Sequence, residues 1–242
     1  MTINNMRLAI MQPYFFPYIG YFQLMNAVDQ WIVFDTPQYI RHGWVNRNRV
    51  LSQGKNGWKY ITIPIQKCSR GTAISAIKIS ESDWRTDLNR SFDYYSANKA
   101  PFLDETIAFI EEALDQSCEF LIDLLVATLT QTLKHLGLEK PLTRFSEMDI
   151  SIGDVNHPGQ WAVNISGAVG ASVYINPPGG REIFVADEFA QRSIDLRFLA
   201  PQLDAYDQCR TEFIPGLSII DCLMFNGREK VCEMAKRFRI DE

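Results

Sequence analysis

The sequence predicts an α/β fold in which added antiparallel strands and a helical subdomain accompany a βαβ core. Three observations support this prediction. Two short apolar runs flank a helical stripe near the N-terminus, within the roughly 30-residue length of a βαβ unit. Two segments with alternating apolar residues follow, and amphipathic helical patterns then extend from about residue 83 to 140. The length of 242 residues, with 46% hydrophobic and 22% charged side chains, is typical of a single globular domain over residues 1–242.

The N-terminal segment predicts a strand, a helix and a second strand in that order. Arg7–Gln12 is a short apolar run typical of a buried strand, and Pro13 and Pro17 then keep the chain out of helix. Apolar residues at helical spacing predict a helix over Ile19–Val28, and Trp31–Asp35 is a second strand-like run. This order indicates a Rossmann-like core, in which ligands bind outside the carboxyl ends of parallel strands. We therefore expect the loops after these two strands to lie side by side.

The middle of the chain combines a polar loop, two strands and three helices. Residues 36–56 predict a loop that is rich in basic side chains. Alternating patterns predict antiparallel strands over Tyr60–Ile65 and Ile74–Ile79. The predicted helices are Trp84–Tyr95, Pro101–Leu114 and Cys118–Leu136, and Thr143–Phe145 is a short strand after them. The three helices are the predicted helical subdomain.

The C-terminal part of the chain returns to alternating helices and strands. Asn156 is suited to cap a helix, and Pro158 is tolerated in a first turn. The predicted elements are a helix over His157–Val169, strands over Ser172–Ile175 and Ile194–Phe198, and a helix over Ser218–Phe238 that breaks near Gly227. These elements extend the α/β core.

Charge and hydrophobicity exclude several classes of protein. A formal net charge of −5 argues against broad attraction to nucleic acid or to an anionic membrane, while a local basic patch stays an open alternative. No apolar stretch approaches the roughly 20 residues of a membrane span, and the N-terminus lacks the apolar core of a signal peptide, so we expect a cytoplasmic protein. The five cysteines are scattered and predicted to be reduced thiols, and the three separated histidines predict no metal site.

Several motifs along the chain resemble those of one known family. They are MQPYFFPYIGYF at residues 11–22, VFDTPQYIRHGWVNRNRV at 33–50, WKYITIPI at 58–65, YINPPGG at 174–180 and FIPGLSIIDCLMFNG at 213–227. Together they are similar to the WbqC-like family. Family members often have a histidine or a methionine directly before the Gln-Pro pair. This chain has Met11 there, so a function of a histidine at that position does not apply to it.

The resemblance implies a function in bacterial pathways for surface polysaccharides, such as O-antigen, and modified sugars. It implies a transferase that adds an acyl or aminoacyl group to an amino sugar or a nucleotide sugar. The implied partner is a small sugar or nucleotide derivative, and an acyl-carrier protein is a candidate donor. The cofactor stays unknown, and so do the metal requirement and the oligomeric state.

Four polar side chains lie at or just beyond the first strand: Gln12, Tyr14, Tyr18 and Tyr21. Tyrosine offers a flat apolar face and a hydroxyl, which suits a sugar or a nucleobase, and glutamine both donates and accepts hydrogen bonds. The alternative is that these rings only pack the helix onto the sheet. Tyr18 and Tyr21 also have the spacing of the HxGH turn of nucleotidyltransferases, with tyrosines in place of the histidines. This spacing favours a nucleotide-binding α/β fold, for which a nucleotidyltransferase-like form is one alternative. Tyrosine cannot supply the imidazolium charge, so an adenylate-forming mechanism would need cations from elsewhere.

Asp35 and Gln38 follow the second strand and are expected to face the same site. A carboxylate there is suited to act as a base, hold a ribose hydroxyl or bind magnesium, while the alternative is a turn cap. His157, at a predicted helix start, is the second candidate base, with surface capping as its alternative. His42 is a further candidate in the basic loop.

Asn46, Arg47 and Asn48 are the densest hydrogen-bonding cluster in the sequence. Arginine binds phosphate or carboxylate through two parallel hydrogen bonds, so Arg47 is the predicted anion ligand. Arg41 and Arg49 are weaker phosphate candidates, and the alternative for the whole cluster is a solvated loop.

These residues support two functional hypotheses. The first is a sugar-metabolism transferase, with Asp35 or His157 as base and Arg47 holding an anion. The second is a non-catalytic nucleotide- or sugar-binding protein, because no complete acid–base or nucleophile set is recognisable in the sequence. A plain scaffold protein would not need the polar cluster at residues 46–48.

Overall fold

A six-stranded sheet and a separate hairpin make up the β structure of the computed structural model, which describes residues 5–241. The sheet contains β1 (Arg7–Met11), β2 (Gln30–Val33), β5 (Leu142–Arg144), β6 (Val173–Asn176), β7 (Asp195–Pro201) and β8 (Phe238–Asp241). Their spatial order is β5-β2-β1-β6-β7-β8. All neighbouring pairs are parallel except β7 and β8, so the predicted α/β fold is confirmed. The hairpin pairs β3 (Arg47–Leu51) with β4 (Trp58–Thr62).

Eight helices within the described residues cover the sheet and the hairpin. They are α1 (Ile19–Ala27), α2 (Trp84–Arg90), α3 (Asp93–Ala97), α4 (Leu103–Leu114), α5 (Leu121–Leu136), α6 (Gln160–Val169), α7 (Ala186–Gln191) and α8 (Ile219–Ala235). Both α4 and α5 pack against α8. None of the helices in residues 5–241 combines the length and apolar character needed to cross a bilayer.

Alternating side chains of the sheet bury two separate apolar layers. Ala9 of β1 packs into the layer that contains α1 and α8, whereas Leu8 and Ile10 pack into the layer that contains α6 and α7. Successive side chains of a strand point to opposite faces, so one short apolar run supplies both layers. Burial on both faces explains why these strands read as continuous hydrophobic runs.

The strand order reverses at β1. The chain passes from β1 through α1 to β2 on one side, and β6 later pairs with the other side of β1. In open α/β sheets, the crevice outside the carboxyl ends at such a switch point is the usual ligand site. Here the crevice lies where β1 ends at Met11 and β6 ends at Asn176.

Two strands lie where the sequence predicted other structure. Residues 47–51 form β3, although they were predicted as loop, because the inward-facing Asn48 is a buried polar residue and breaks the apolar alternation. β3 is also the partner of β4, in place of the predicted Ile74–Ile79 strand, which contains a short 3-10 turn and isolated bridges. Phe238–Asp241 forms β8 instead of continuing α8, since four residues at a sheet edge carry no helical pattern.

Helix boundaries also depart from the prediction in the C-terminal part. α6 begins at Gln160 after Gly159, so Asn156 is not its N-cap, and the short helix α7 was not predicted. The predicted break near Gly227 is confirmed: its φ of 68° and ψ of 172° belong to a region open almost only to glycine. An added Cβ at Gly227 would lie 2.6 Å from the Phe102 ring, which packs against the kink.

Candidate functional site

Two cavities adjoin the carboxyl ends of β1 and β6. The first, of about 400 Å³, we name the aromatic cavity, and its walls include Tyr14, Tyr18, Tyr21, Trp44, Asn48 and Arg49. The second, of about 560 Å³, we name the amide cavity, and its walls include Gln12, Phe34, Asn156, His157, Trp161 and Asn176. Both volumes fall within the range of ordinary small-molecule sites.

The two cavities share a wall at the switch point. Met11 and Pro177 line the aromatic cavity, whereas their chain neighbours Gln12 and Asn176 line the amide cavity. Consecutive Cα atoms are about 3.8 Å apart, so the cavities approach each other to within the width of a strand. The two cavities therefore lie beside the same strand ends.

The loop between β1 and α1 is held by two polar side chains. Asn48 donates from Nδ2 to the carbonyls of Phe15 (3.1 Å) and Phe16 (2.9 Å), and Ser218 donates its hydroxyl to the Phe16 carbonyl at 2.7 Å. Phe16 needs this support because its φ is 38°, an uncommon conformation for a residue with a Cβ. Its buried ring anchors the loop in the core, so the loop can carry the tyrosines at a fixed position.

The tyrosines of the predicted site differ in their exposure and partners. Tyr21 is buried and donates its hydroxyl to the Gln12 carbonyl at 2.9 Å, so it is a packing residue as well as a wall. The Tyr14 ring lies 5.7 Å from the Tyr21 ring in a tilted arrangement. The Tyr18 ring covers Gly20, where an added Cβ would lie 2.4 Å from Tyr18 Cε2. Burial raises the pKa of the Tyr14 and Tyr18 phenols, so both hydroxyls stay protonated at neutral pH.

Arg49 is the cation of the aromatic cavity. Its Nη2 donates to the Gly216 carbonyl at 3.1 Å, and its guanidinium lies 5.1 Å from the Trp58 ring and 5.5 Å from the Trp44 ring. No carboxylate among residues 5–241 is within ion-pair distance of it, and its Nε is buried without a hydrogen-bond partner in this part of the chain. The cavity thus combines aromatic faces, phenol donors and a positive charge that is not paired with any carboxylate of residues 5–241.

Neither Asn46 nor Arg47 lines this cavity. Asn46 accepts from the Tyr39 hydroxyl at 2.8 Å and donates to the Ile63 carbonyl at 2.7 Å, which ties the hairpin to the preceding loop. Arg47 donates to the carbonyls of Gly43 (3.0 Å) and His42 and lies 4.0 Å over the Tyr60 ring. Both line a separate surface hollow. Of the polar cluster at residues 46–48, only Asn48 adjoins the aromatic cavity.

Asp35 and Gln38 also lie outside both cavities. Asp35 is fully buried and accepts hydrogen bonds from the backbone N–H (3.0 Å) and the hydroxyl of Ser146, which follows β5. This geometry is that of a cap that joins the carboxyl ends of β2 and β5. Gln38 forms an isolated antiparallel bridge with Ala73 and lines a third surface hollow.

His157 lines the amide cavity with both ring nitrogens engaged. Its Nε2 lies 3.0 Å from both carboxylate oxygens of Glu188, and its Nδ1 accepts from the Gly159 N–H at 3.2 Å. Gln160 donates a hydrogen bond to Glu188 at 2.8 Å. This hydrogen bond and the one with His157 lower the pKa of the Glu188 carboxyl. Gln12, by contrast, has no side-chain partner within residues 5–241 and is open to a ligand.

A buried network fixes the segment that precedes α8 and supplies Gly216 to the aromatic cavity. Asp221 accepts from the hydroxyls of Tyr95 (2.7 Å) and Tyr206 (2.5 Å) and from Gln208 Nε2 (2.8 Å). Gln208 also accepts from the Ile214 N–H at 2.8 Å. Burial raises the pKa of the Asp221 carboxyl to about 6, even though three donors favour its ionised form. No pattern in the sequence indicated this network, because its members are far apart in the chain.

We expect the Asp221 carboxyl to make the folded state less stable as the pH rises from about 4 to about 6. Its folded pKa of about 6 exceeds the ordinary 3.8, so the folded state binds this proton more tightly than the unfolded chain does. This pKa difference corresponds to roughly 3 kcal/mol of folding stability. The contribution is fully present below about pH 4 and is lost above about pH 6. Urea unfolding of the wild type and Asp221→Asn across this range checks it. If the free energy of unfolding changed with pH by the same amount in both proteins, the raised pKa of Asp221 would be contradicted.

Two residues of the aromatic cavity carried little or no signal in the sequence. Arg49 was a weaker candidate than Arg47 because residues 47–51 did not read as a strand, so the direction of neither side chain could be assigned. Trp44 is a lone aromatic residue in a loop and has no pattern of its own. Recognition of β3 as a strand would have placed both arginines on one face, which makes Arg49 as strong a candidate as Arg47.

Comparisons with known proteins give three findings. A sequence model of the WbqC-like protein family matches residues 12–233. The chain is 26% identical over 227 residues to a protein of Mycobacterium tuberculosis described as uncharacterized protein Rv1507c, a similarity that covers 92% of this chain and 95% of that protein. No solved structure matches the chain.

Proposed function

The chain belongs to the WbqC-like protein family, and we propose that it is a transferase of bacterial surface-polysaccharide or modified-sugar biosynthesis that binds a nucleotide-linked sugar at the switch point. The observation that carries this proposal is Arg49, a guanidinium without a carboxylate partner in residues 5–241 that faces an aromatic cavity beside β1. The sugar-pathway assignment derives from the family resemblance, and the ligand class derives from the two cavities.

The aromatic cavity suits the nucleotide part of such a ligand. A guanidinium is the side chain best matched to phosphate oxygens, and Arg49 is already oriented by its bond to Gly216. The faces of Tyr14 and Trp44 can stack on a planar base, as aromatic side chains do in nucleotide sites. The protonated hydroxyls of Tyr14 and Tyr18 add hydrogen-bond donors for phosphate or ribose oxygens.

The amide cavity suits the uncharged sugar. Its polar wall contains the carboxamides of Gln12, Asn156 and Asn176, and its apolar wall contains the Trp161 ring. Carboxamides donate to and accept from hydroxyl groups, and an aromatic ring offers a flat apolar surface for the face of a sugar. No lysine or arginine lines this cavity, so a neutral group fits it better than a second phosphate does.

The transferred group in this proposal is an acyl or aminoacyl group, and an acyl-carrier protein is one candidate donor. Asp35 and His157 stay the predicted bases. To accept a substrate proton, Asp35 would have to break a hydrogen bond with Ser146. His157 would have to break its hydrogen bond with Glu188 or the one with the Gly159 N–H. Because His157 lines the amide cavity, it is the closer of the two to the proposed sugar.

A non-catalytic nucleotide- or sugar-binding protein is the second candidate function. The specific observation in its favour is that both predicted bases have protein partners, whereas the ligand-facing groups Arg49 and Gln12 are available. A turnover assay with Asp35→Asn and His157→Gln separates the candidates. Loss of turnover with retained ligand binding supports a transferase, and absence of turnover in the wild type with saturable binding supports the binding protein.

The experiment that tests the ligand class is calorimetric titration of the purified protein. The ligands are UDP, a UDP-sugar, a dTDP-sugar, ATP and the corresponding free sugar, each with and without magnesium. We expect saturable binding of at least one nucleoside diphosphate and tighter binding of its sugar conjugate. If no nucleotide or nucleotide sugar binds while the protein remains folded, the proposed ligand class is wrong.

A further inference from the structure

The charges of this chain are strongly segregated. Residues 36–80 contain eight of its 24 lysines and arginines and none of its 29 aspartates and glutamates. The rest of the chain therefore holds 29 acids against 16 bases. The basic segment forms the β3–β4 hairpin and the loops around it, so the segregation in sequence is also a segregation in space. A basic surface on an otherwise acidic protein gives its encounters with anions a fixed orientation.

Four cations of this segment form one face. Arg41 adjoins two surface hollows, one shared with Arg70 and the other with Arg47 and Lys67. Within residues 5–241, none of the four has a carboxylate at ion-pair distance, whereas Lys59 and Lys78 of the same segment are paired with Asp93 and Glu119. We name Arg41, Arg47, Lys67 and Arg70 the basic face.

Large apolar side chains project beside the basic face. Ile40 is 60% exposed, Trp44 41% and Tyr60 38%, so this segment holds three of the six large hydrophobic residues exposed in residues 5–241. Tyr60 lies under the Arg47 guanidinium, and its ring is 6.3 Å from that of Trp44. Ile40 precedes Arg41 in the same loop. Exposed apolar groups among cations indicate a surface that is covered in use.

We propose that the basic face and its apolar side chains dock on an anionic lipid surface. The cations are distributed over two adjoining hollows instead of converging on one point, and an array of anionic headgroups matches such a distribution. Trp44 and Tyr60 are the residue types that occupy the boundary between headgroups and acyl chains, and Ile40 is suited to enter it. A duplex nucleic acid would match the cations but would leave Ile40 without a function.

Docking in this way places the mouth of the aromatic cavity at the lipid surface. Trp44 belongs both to the exposed apolar group and to the wall of that cavity. The cavity would then open where a substrate carried by a lipid is presented. The docking itself does not depend on the proposed function, because it derives from the charge distribution and exposure alone.

The experiment is co-sedimentation of the whole protein with two kinds of vesicle, phosphatidylcholine alone and phosphatidylcholine mixed with phosphatidylglycerol. We expect binding only to the anionic vesicles, and weaker binding as salt screens the attraction. The triple variant Arg41→Gln, Lys67→Gln, Arg70→Gln should reduce binding at least about tenfold. Ile40→Ser, at an exposed position, should reduce it several-fold without affecting the fold.

A matched control removes the same charge from elsewhere on the surface. Arg90, Arg228 and Lys236 are all exposed and lie outside the basic segment, so their triple glutamine variant should bind the anionic vesicles like the wild type. Equal loss in both triple variants, or no binding of the wild type to anionic vesicles, would overturn the proposal. So would binding to a duplex oligonucleotide as tight as binding to the vesicles and unaffected by Ile40→Ser, which would identify a general polyanion surface.

Discussion

Replacing Arg49 with methionine should weaken the binding of a nucleoside diphosphate or nucleotide sugar by roughly 30-fold, which corresponds to about 2 kcal/mol. Methionine fills a similar volume but removes the charge and the donors that face the aromatic cavity. The loss should be small for an uncharged free sugar, because that ligand makes no charge-assisted hydrogen bond. Calorimetric titration of wild type and variant with both ligands measures the two effects.

Arg47→Met provides the informative comparison. Arg47 is separated from Arg49 by one residue on β3, yet its guanidinium bonds the carbonyls of Gly43 and His42 and covers Tyr60. We therefore expect a smaller effect on ligand binding than Arg49→Met produces. Arg90→Met, an exposed change on α2, should have none. If Arg47→Met abolished binding and Arg49→Met left it intact, the anion site would lie at the surface hollow that Arg47 lines, as the sequence first indicated.

Replacing Asn48 with aspartate should lower the free energy of unfolding by about 3 kcal/mol. Asn48 is buried, and the donors that hold the Phe15 and Phe16 carbonyls would become carboxylate oxygens that repel them. For a chain of this length the loss corresponds to a melting temperature lower by roughly 6–12 °C. The loss should shrink in acid, where a protonated carboxyl can donate one bond again. Thermal melts at several pH values measure both effects.

Asn98→Asp is the control for this change. Asn98 is partly buried and donates from Nδ2 to one carbonyl, that of Tyr94, at 2.8 Å. The same chemical substitution there removes one hydrogen bond at the end of a short helix. We therefore expect the free energy of unfolding to fall by much less than it does in Asn48→Asp. Similar losses at both positions would mean that the loop between β1 and α1 does not depend on Asn48.

These two predictions assign different tasks to neighbouring residues. Asn48 holds the loop that carries Tyr14 and Tyr18, and Arg49 supplies the charge that the loop's aromatic rings surround. Both asparagines of the polar cluster at residues 46–48 hold backbone carbonyls, so part of this cluster has a structural role. The loss of Asn48 would change binding indirectly, through the loop, whereas the loss of Arg49 would change binding directly.

The sequence by itself determined the α/β class and the first βαβ unit of the sheet. Short apolar runs at Arg7–Met11 and Gln30–Val33 are buried on both faces, and the prolines after the first run prevent a helix there. These are local effects of hydrophobicity and backbone geometry, so they can be read without knowledge of distant residues. The parallel pairing of the two strands then places their carboxyl ends together.

Only the tertiary structure decided which polar side chains remain available to a ligand. Asp35 lies two residues beyond the end of β2, and Ser146, 111 residues further along the chain, donates hydrogen bonds to both of its carboxylate oxygens. Arg47 and Arg49 have the same chemistry and differ only in the carbonyls and rings that surround them in the folded chain. A buried polar group must find a partner, and that partner comes from whichever segment packs against it. Local sequence determines the chemistry of each group, and long-range packing determines which groups are left for function.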